Sequence, residues 1–222
     1  MRKTLFLSLL CMALLTACND DSYEPGKGDL SDLVADLVDL HTKAATQVDY
    51  AVTDNNTTLT FNSLMEVQWA NKADTIYRGL LYYRKAKNSN NVVPYSLAPV
   101  TVLYPVSADK IKEMKTDPVE LESGWMAETG RYLNILVKIM TASSGEGDDR
   151  QSVGMVLDKV EDNADGHKTY YYTFYHAQNG VPENYSTEVY FSIPTANIAG
   201  GDKIVLKVNT RKGVVEKEFV QK

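Results

Sequence analysis

From Thr46 to the C-terminus, apolar and polar positions alternate with a period of two, the spacing of half-buried strands. Val48, Tyr50 and Val52 alternate with Gln47, Asp49 and Thr53. Asp54-Asn55-Asn56-Thr57 reads as a turn, and Leu59 and Phe61 restart a strand. Val67-Gln68-Trp69-Ala70 begins another, Asn71 to Asp74 turns, and Thr75 to Ala86 is a long β run. Gly79 inside that run predicts a bulge or a sharp bend, as a small barrel needs. Tyr95 to Tyr104, punctuated by Pro94, Pro99 and Pro105, is a further strand. Ser107 then heads a short helical piece over Ala108–Lys115.

Pro118 disfavours helix at Asp117, so Thr116-Asp117-Pro118 is the expected domain boundary. Beyond it the alternation is stronger. Leu133, Ile135, Val137 and Ile139 face one way, with Asn134, Leu136, Lys138 and Met140 between them. Val153–Val160, Tyr170–His176, Tyr185–Ile193, Ile204–Val208 and Val214–Val220 follow, separated by turns rich in Gly, Asn and Asp. Short strands at this spacing predict an antiparallel sandwich.

The first 42 residues differ. Arg2 and Lys3 precede a short apolar run from Leu5 to Leu15, too short to span a bilayer, which needs roughly 20 residues. With small residues after it, this is the pattern of a secretory signal peptide. Leu15-Thr16-Ala17-Cys18 looks like a bacterial lipobox, with cleavage before Cys18 and lipid on its sulfur. Several buried acyl chains, at about 0.8 kcal/mol per CH₂, make a stable anchor where one is marginal. Asn19 to Gly28 is polar, acidic and rich in turn formers, and reads as a tether. Asp20 and Asp21 just after the cysteine resemble a signal for export to the outer face of the outer membrane in Bacteroidota, or are simply a solvated leader. Residues 29–42 have a helical period, through Leu30, Leu33, Val34, Leu37, Val38 and His41, with Ser31 and Asp32 near the start. A strand is the alternative there.

Composition narrows the function classes. The chain has 222 residues and a net charge of −6, so a basic nucleic-acid footprint is missing. Fourteen Tyr against five Phe and two Trp suit strands with wet faces. Of the two cysteines, Cys11 lies in the cleaved segment, leaving Cys18 without an intramolecular disulfide partner.

Motifs for catalysis are sparse. His41, His167 and His176 form no His-x-x-x-His pair, and Gly-x-Ser-x-Gly does not occur. His176 ends an aromatic strand and reads as a hydrogen-bonded structural residue. Gly145 to Asp149 is acidic but lacks calcium-loop spacing. Glu120 and Glu122 alternate on a strand and read as a solvated face rather than a glycosidase pair. No catalytic residue, metal or cofactor is expected. Asp74-Thr75-Ile76 resembles an O-glycosylation motif of exported Bacteroidota proteins, which makes Thr75 a candidate for modification. Trp69, Tyr82, Tyr83 and Trp125 are the aromatics to consider for stacking on a sugar ring, each weighed against a place in the core.

Several stretches carry a family resemblance. They are the lipobox, the acidic tether, the long strand near Thr75–Ala86, and Trp125 followed by Gly130-Arg131-Tyr132-Leu133-Asn134-Ile135. Tyr172-Thr173-Phe174-Tyr175-His176-Ala177 and the terminal hairpin from Asp202 belong with them. The chain resembles the NigD-like lipoproteins of Bacteroidales. The resemblance implies an all-β chain, with an N-terminal OB-fold-like barrel over 29–116 and a C-terminal antiparallel β-sandwich over 117–222. It also implies that Leu33–His41 is the first barrel strand, against its helical period. That family takes its name from a gene associated with a bacteriocin cluster, and it carries no established catalytic residues.

The resulting expectation is a non-catalytic lipoprotein of the cell envelope, anchored to the outer membrane through the lipid at Cys18. It binds a protein or glycan partner and no nucleic acid; the alternative is a bacteriocin immunity protein. Tyr171 and Tyr175 share the outer face of their strand with Thr173, opposite Tyr170, Tyr172, Phe174 and His176. Two neighbouring rings call for cover, so they are expected at an interdomain contact or on a partner surface.

Overall fold

The computed structural model describes residues 32–85, 89–142 and 150–222. Cys18, the tether with Asp20 and Asp21, and the loop Gly145–Asp149 lie outside the described residues.

The first half is a closed barrel. Its strands are β1 (Leu33–Ala44), β2 (Gln47–Thr53), β3 (Thr58–Glu66), β4 (Ile76–Lys85) and β5 (Asn91–Pro99). They close in the order β1-β2-β3-β5-β4, with β4 returning to β1. One parallel contact, β3 to β5, completes the ring, the layout of an OB fold. Val38, Leu40, Val48, Ala51, Leu59, Leu81, Tyr83 and Val92 fill the interior.

β1 explains its own misleading period. Val38 and Leu40 point into the barrel, while Leu37 and Asp39 on the opposite side are also buried. A strand covered on both faces loses its alternation and reads as a continuous apolar run. The strand implied by the resemblance is therefore present, and the helical period is a by-product of two-sided burial.

Three local expectations are corrected. Val67–Ala70 is a turn folded back on the barrel, with Ala70 N–H bonded to Val67 O, and is not a strand. Gly79 makes no bulge, because Val38 and Gly79 pair within an unbroken register. A Cβ at Gly79 would sit 3.0 Å from Leu97 Cδ1 and 3.1 Å from Leu40 Cδ1, so the glycine permits close approach across the barrel. The β4–β5 irregularity falls instead between Tyr82 and Tyr83, beside Pro94, which cannot donate to a ladder. Finally, the helical piece after Ser107 is one 3-10 turn, Ala108–Lys110.

The second half is a two-sheet sandwich. Its strands are β6 (Thr101–Val102), β7 (Pro105–Ser107), β8 (Glu120–Met126), β9 (Tyr132–Thr141), β10 (Ser152–Asp162), β11 (Lys168–Ala177), β12 (Tyr185–Pro194), β13 (Lys203–Thr210) and β14 (Gly213–Val220). One sheet runs β14-β13-β11-β10-β7 and the other β6-β12-β9-β8. Most pairings are antiparallel; β7–β10, β11–β13 and β6–β12 are parallel. Leu133, Ile135, Val137 and Ile139 of β9 meet Phe174, Ile204 and Leu206 of the facing sheet in one core.

The chain enters this sandwich directly from the barrel. Val100 N–H bonds back to Arg78 O, and Leu103 N–H already bonds to Ser192 O on β12. β6 and β7 lie upstream of the expected Thr116–Pro118 boundary, yet they are edge strands of the two sandwich sheets. Thr116–Pro118 does not link domains: Thr116 bridges His176, and Asp117 bonds through its backbone to His176.

Candidate functional site

A set of buried charged side chains lies where the barrel meets the sandwich. Asp39 on β1 and Arg78 on β4 are direct cross-strand neighbours. Both point away from the barrel interior, and both are buried, at 2% and 5% exposure. Arg78 Nη1 donates to Asp39 Oδ1 at 3.2 Å. Arg78 Nη2 donates to both oxygens of Asp54, at 2.7 and 2.8 Å, from the turn between β2 and β3.

The sandwich supplies the other half. Arg78 Nε donates to Ser192 Oγ on β12 at 3.1 Å, and Ser192 Oγ donates to Asn134 Oδ1 on β9 at 2.7 Å. Asn134 Nδ2 donates to Asp54 Oδ2 at 2.7 Å. The Arg78 guanidinium lies 4.2 Å from the centre of the Tyr132 ring. Arg131 Nη1 reaches Asp39 Oδ2 at 3.2 Å. Burial, and then the Asp39 carboxylate, push the Tyr132 hydroxyl up to about 12.

Two cations face two anions, and each formal charge is met by another. Such a set fixes geometry well, because both carboxylates are engaged by the two guanidinium groups. The cluster is a clasp that holds barrel to sandwich. Its signal in the sequence is a charged or amide side chain among apolar strand neighbours: Asp39, Arg78 and Asn134.

Beside the clasp, on the same outer face of the β6-β12-β9-β8 sheet, stand two aromatics, the exposed Trp125 and the half-buried Tyr190. Trp125 is opposite Asn134 across the β8–β9 ladder, and Tyr190 is opposite Leu136 across β9–β12. The Trp125 and Tyr190 rings meet edge to face, with centroids 6.4 Å apart and planes at 81°. Tyr82 comes from β4 of the barrel. Burial pushes the Tyr190 hydroxyl above its ordinary value, and Tyr82 and Glu188 add to the rise. Trp125 and Tyr82 are each 37% exposed.

The other sequence candidates are placed as follows. Tyr83 is buried in the barrel, its hydroxyl bonded to Asp36 at 2.6 Å, and Trp69 is half-buried edge-on to Tyr77. Glu120 is opposite Lys138, while Glu122 is the extra residue of a β8 bulge and accepts from Lys138 Nζ at 2.9 Å. Lys138 therefore stands between the two carboxylates. Thr75 is half-buried just before β4, with its hydroxyl donating to Ala73 O at 2.9 Å. His41 stacks on Tyr50, at 4.3 Å and 12°. Burial holds its pKa below the ordinary value, against Asp39 and with Arg131. His176 is buried and donates from Nδ1 to Asp117 O at 3.0 Å, while His167 is half-exposed, 3.6 Å from Asp202.

Phe174 and Tyr172 are in the core, and Tyr171 and Tyr175 are on the outer face. The contacts of Tyr171 come from its own sheet. Tyr171 donates to Glu161 Oε2 at 2.8 Å and lies 4.4 Å below Lys159 Nζ, both on the adjacent strand. Tyr175 lines an open groove with Tyr104, Val106 and Ile111, from the segment that follows β6.

Residues 102–221 match the family model of the NigD-like C-terminal beta sandwich domain. A NigD-like immunity protein from Bacteroides caccae shares the fold at a TM-score of 0.64 and 21% identity, over 85% of this chain and 97% of that one. A protein of Parabacteroides distasonis described as toxin-related has a TM-score of 0.65 and 14% identity, over 85% and 92%. A protein of Bacteroides fragilis described as a lipoprotein has a TM-score of 0.58 and 9% identity, over 86% and 98%. No curated protein matches this chain.

Proposed function

This chain belongs to the NigD-like family, and from that premise we propose that it is a non-catalytic binding module of the cell envelope, held at the outer membrane by lipid on Cys18. One observation carries the reading. Trp125 and Tyr82, each 37% exposed, and the half-buried Tyr190 form an aromatic shelf beside the clasp, while the charged groups of the clasp are paired with one another. Exposed aromatics on rigid strands are the usual anchors of recognition. The lipobox supports the anchor, and the Bacteroides fragilis relative described as a lipoprotein is in keeping with it.

The test has two parts. Wild-type chain should stay with membranes through a carbonate wash, and Cys18→Ser should not; a membrane-bound Cys18→Ser variant would refute the anchor. With Trp125→p-benzoylphenylalanine, irradiation of intact cells should give a crosslinked species of raised mass, whether a discrete band or a smear. The same probe at Val214, an exposed residue at the far edge of the sandwich, should not.

A second reading is immunity to an envelope toxin. It is favoured by the relatives described as an immunity protein and as toxin-related. Deleting the gene should then sensitise cells to culture supernatant from sibling strains that the wild type survives.

A further inference from the structure

The shelf has a chemistry of its own, and it deepens the binding-module reading on which it rests. The sheet register sets Trp125 on β8 opposite Asn134 of β9 and Tyr190 on β12 opposite Leu136, so the two rings flank β9 on a diagonal. They lean together across that strand until their centroids are 6.4 Å apart. Because the planes stand at 81°, the two rings do not shield one another face to face. Tyr82, 37% exposed on β4, adds a ring on the barrel side of the junction that the Arg78 clasp spans. Strands and a buried ion cluster fix these rings before any ligand arrives, which lowers the ordering cost of binding.

The next polar groups along the same face are Lys138, Glu122 and Glu188. Lys138 Nζ is 2.9 Å from Glu122 and 3.6 Å from Glu188, and Glu120 is opposite it in register. Three carboxylates thus surround one ammonium that is already paired, on a chain with net charge −6. An anionic polymer meets repulsion there. A long apolar peptide segment would have to desolvate these charges.

A neutral sugar chain fits both halves. The axial C–H groups of a pyranose carry slight positive charge and pack on the negative face of an aromatic ring. Its hydroxyls donate to carboxylates that keep free lone pairs, and polar groups so placed fix orientation. We infer that the Trp125–Tyr190–Tyr82 shelf is a binding site for a neutral polysaccharide, with Glu122, Glu188 and Lys138 holding its hydroxyls.

The purified full-length chain is run in affinity gels containing dextran, mannan, xylan or β-glucan, with anionic pectin as the contrast. At least one neutral polymer should retard it, and pectin should not. Trp125→Ala and Tyr82→Ala should each weaken that retardation at least tenfold. Tyr171→Ala, on the other sheet, should leave it unchanged. Thermal melts of the variants separate loss of binding from loss of fold. Tyr82→Ala probes the same site from the barrel, so one poorly folded variant does not remove the test. Retardation by no neutral polymer, or equal retardation of wild type and both shelf variants, overturns the assignment. If the in-cell adduct at position 125 then proves to be a protein, the glycan is refuted while the binding module stands.

Discussion

At the scale of single residues, Arg78 bears the heaviest load. It contacts Asp39, Asp54, Asn134 and Ser192, and so joins strands of both halves. Removing one member of a buried ion pair leaves its partners charged and dry, at a cost of about 3–5 kcal/mol. Arg78→Met should therefore lower stability by that order in a denaturant titration. Adding Asp39→Asn and Asp54→Asn should restore part of the loss, because neutral amides are cheaper to bury than bare carboxylates. His41 gives a pH-dependent counterpart. Its pKa in the folded chain lies below the ordinary value of 6.5, chiefly through burial. Above 6.5 it is neutral in both states and its contribution is complete. As pH falls through 6.5 the unfolded chain binds a proton that the folded chain resists, so stability declines until the folded pKa is reached. His41→Phe keeps the stack on Tyr50 and removes the proton. Melting temperature should then fall less steeply below pH 6.5 than in the wild type, and parallel curves would count against this assignment.

At the scale of elements, β1 and β4 show why period alone misleads in a small barrel. Each presents apolar residues to the interior and charged or aromatic residues to the sandwich, so neither face is simply wet. Gly79 is where the two strands demand most of the sequence. Leu40, Leu97 and the Ala98 carbonyl all lie within 3.3 Å of where its Cβ would be. Gly79→Ala should overpack the barrel and cost about 1–3 kcal/mol, read as a lower melting temperature. Gly166→Ala serves as the contrast for crowding, since no heavy atom lies within 4 Å of a Cβ there; its positive φ, 86°, adds only local strain.

At the scale of the whole molecule, the sandwich extends upstream of the Pro118 boundary. β6 and β7 finish one edge of each sheet, and without them β12 and β10 would expose unpaired backbone groups. A fragment spanning 101–222 should therefore melt cooperatively as a soluble monomer. One spanning 117–222 should melt lower or aggregate in size-exclusion chromatography. Equal behaviour of the two would mean that the edge strands are dispensable.

The all-β class, most strands of the second half and the faces of β11 followed from the sequence alone, because alternation with a period of two survives wherever a sheet has one buried face. The resemblance carried by Trp125, the Tyr132-Leu133-Asn134-Ile135 stretch and the Tyr172–Ala177 stretch supplied the barrel and the first strand. Neither Thr116–Pro118 nor Gly79 could be read correctly from local rules. One looks like a linker and the other like a bulge until strands distant in sequence are laid beside them. The clasp and the shelf were decided only by the tertiary structure. Asp39, Asp54 and Arg78 are far in sequence from Asn134 and Ser192, and Tyr82 is far from Trp125 and Tyr190. No periodicity along the chain reports which charges and rings close packing will bring together.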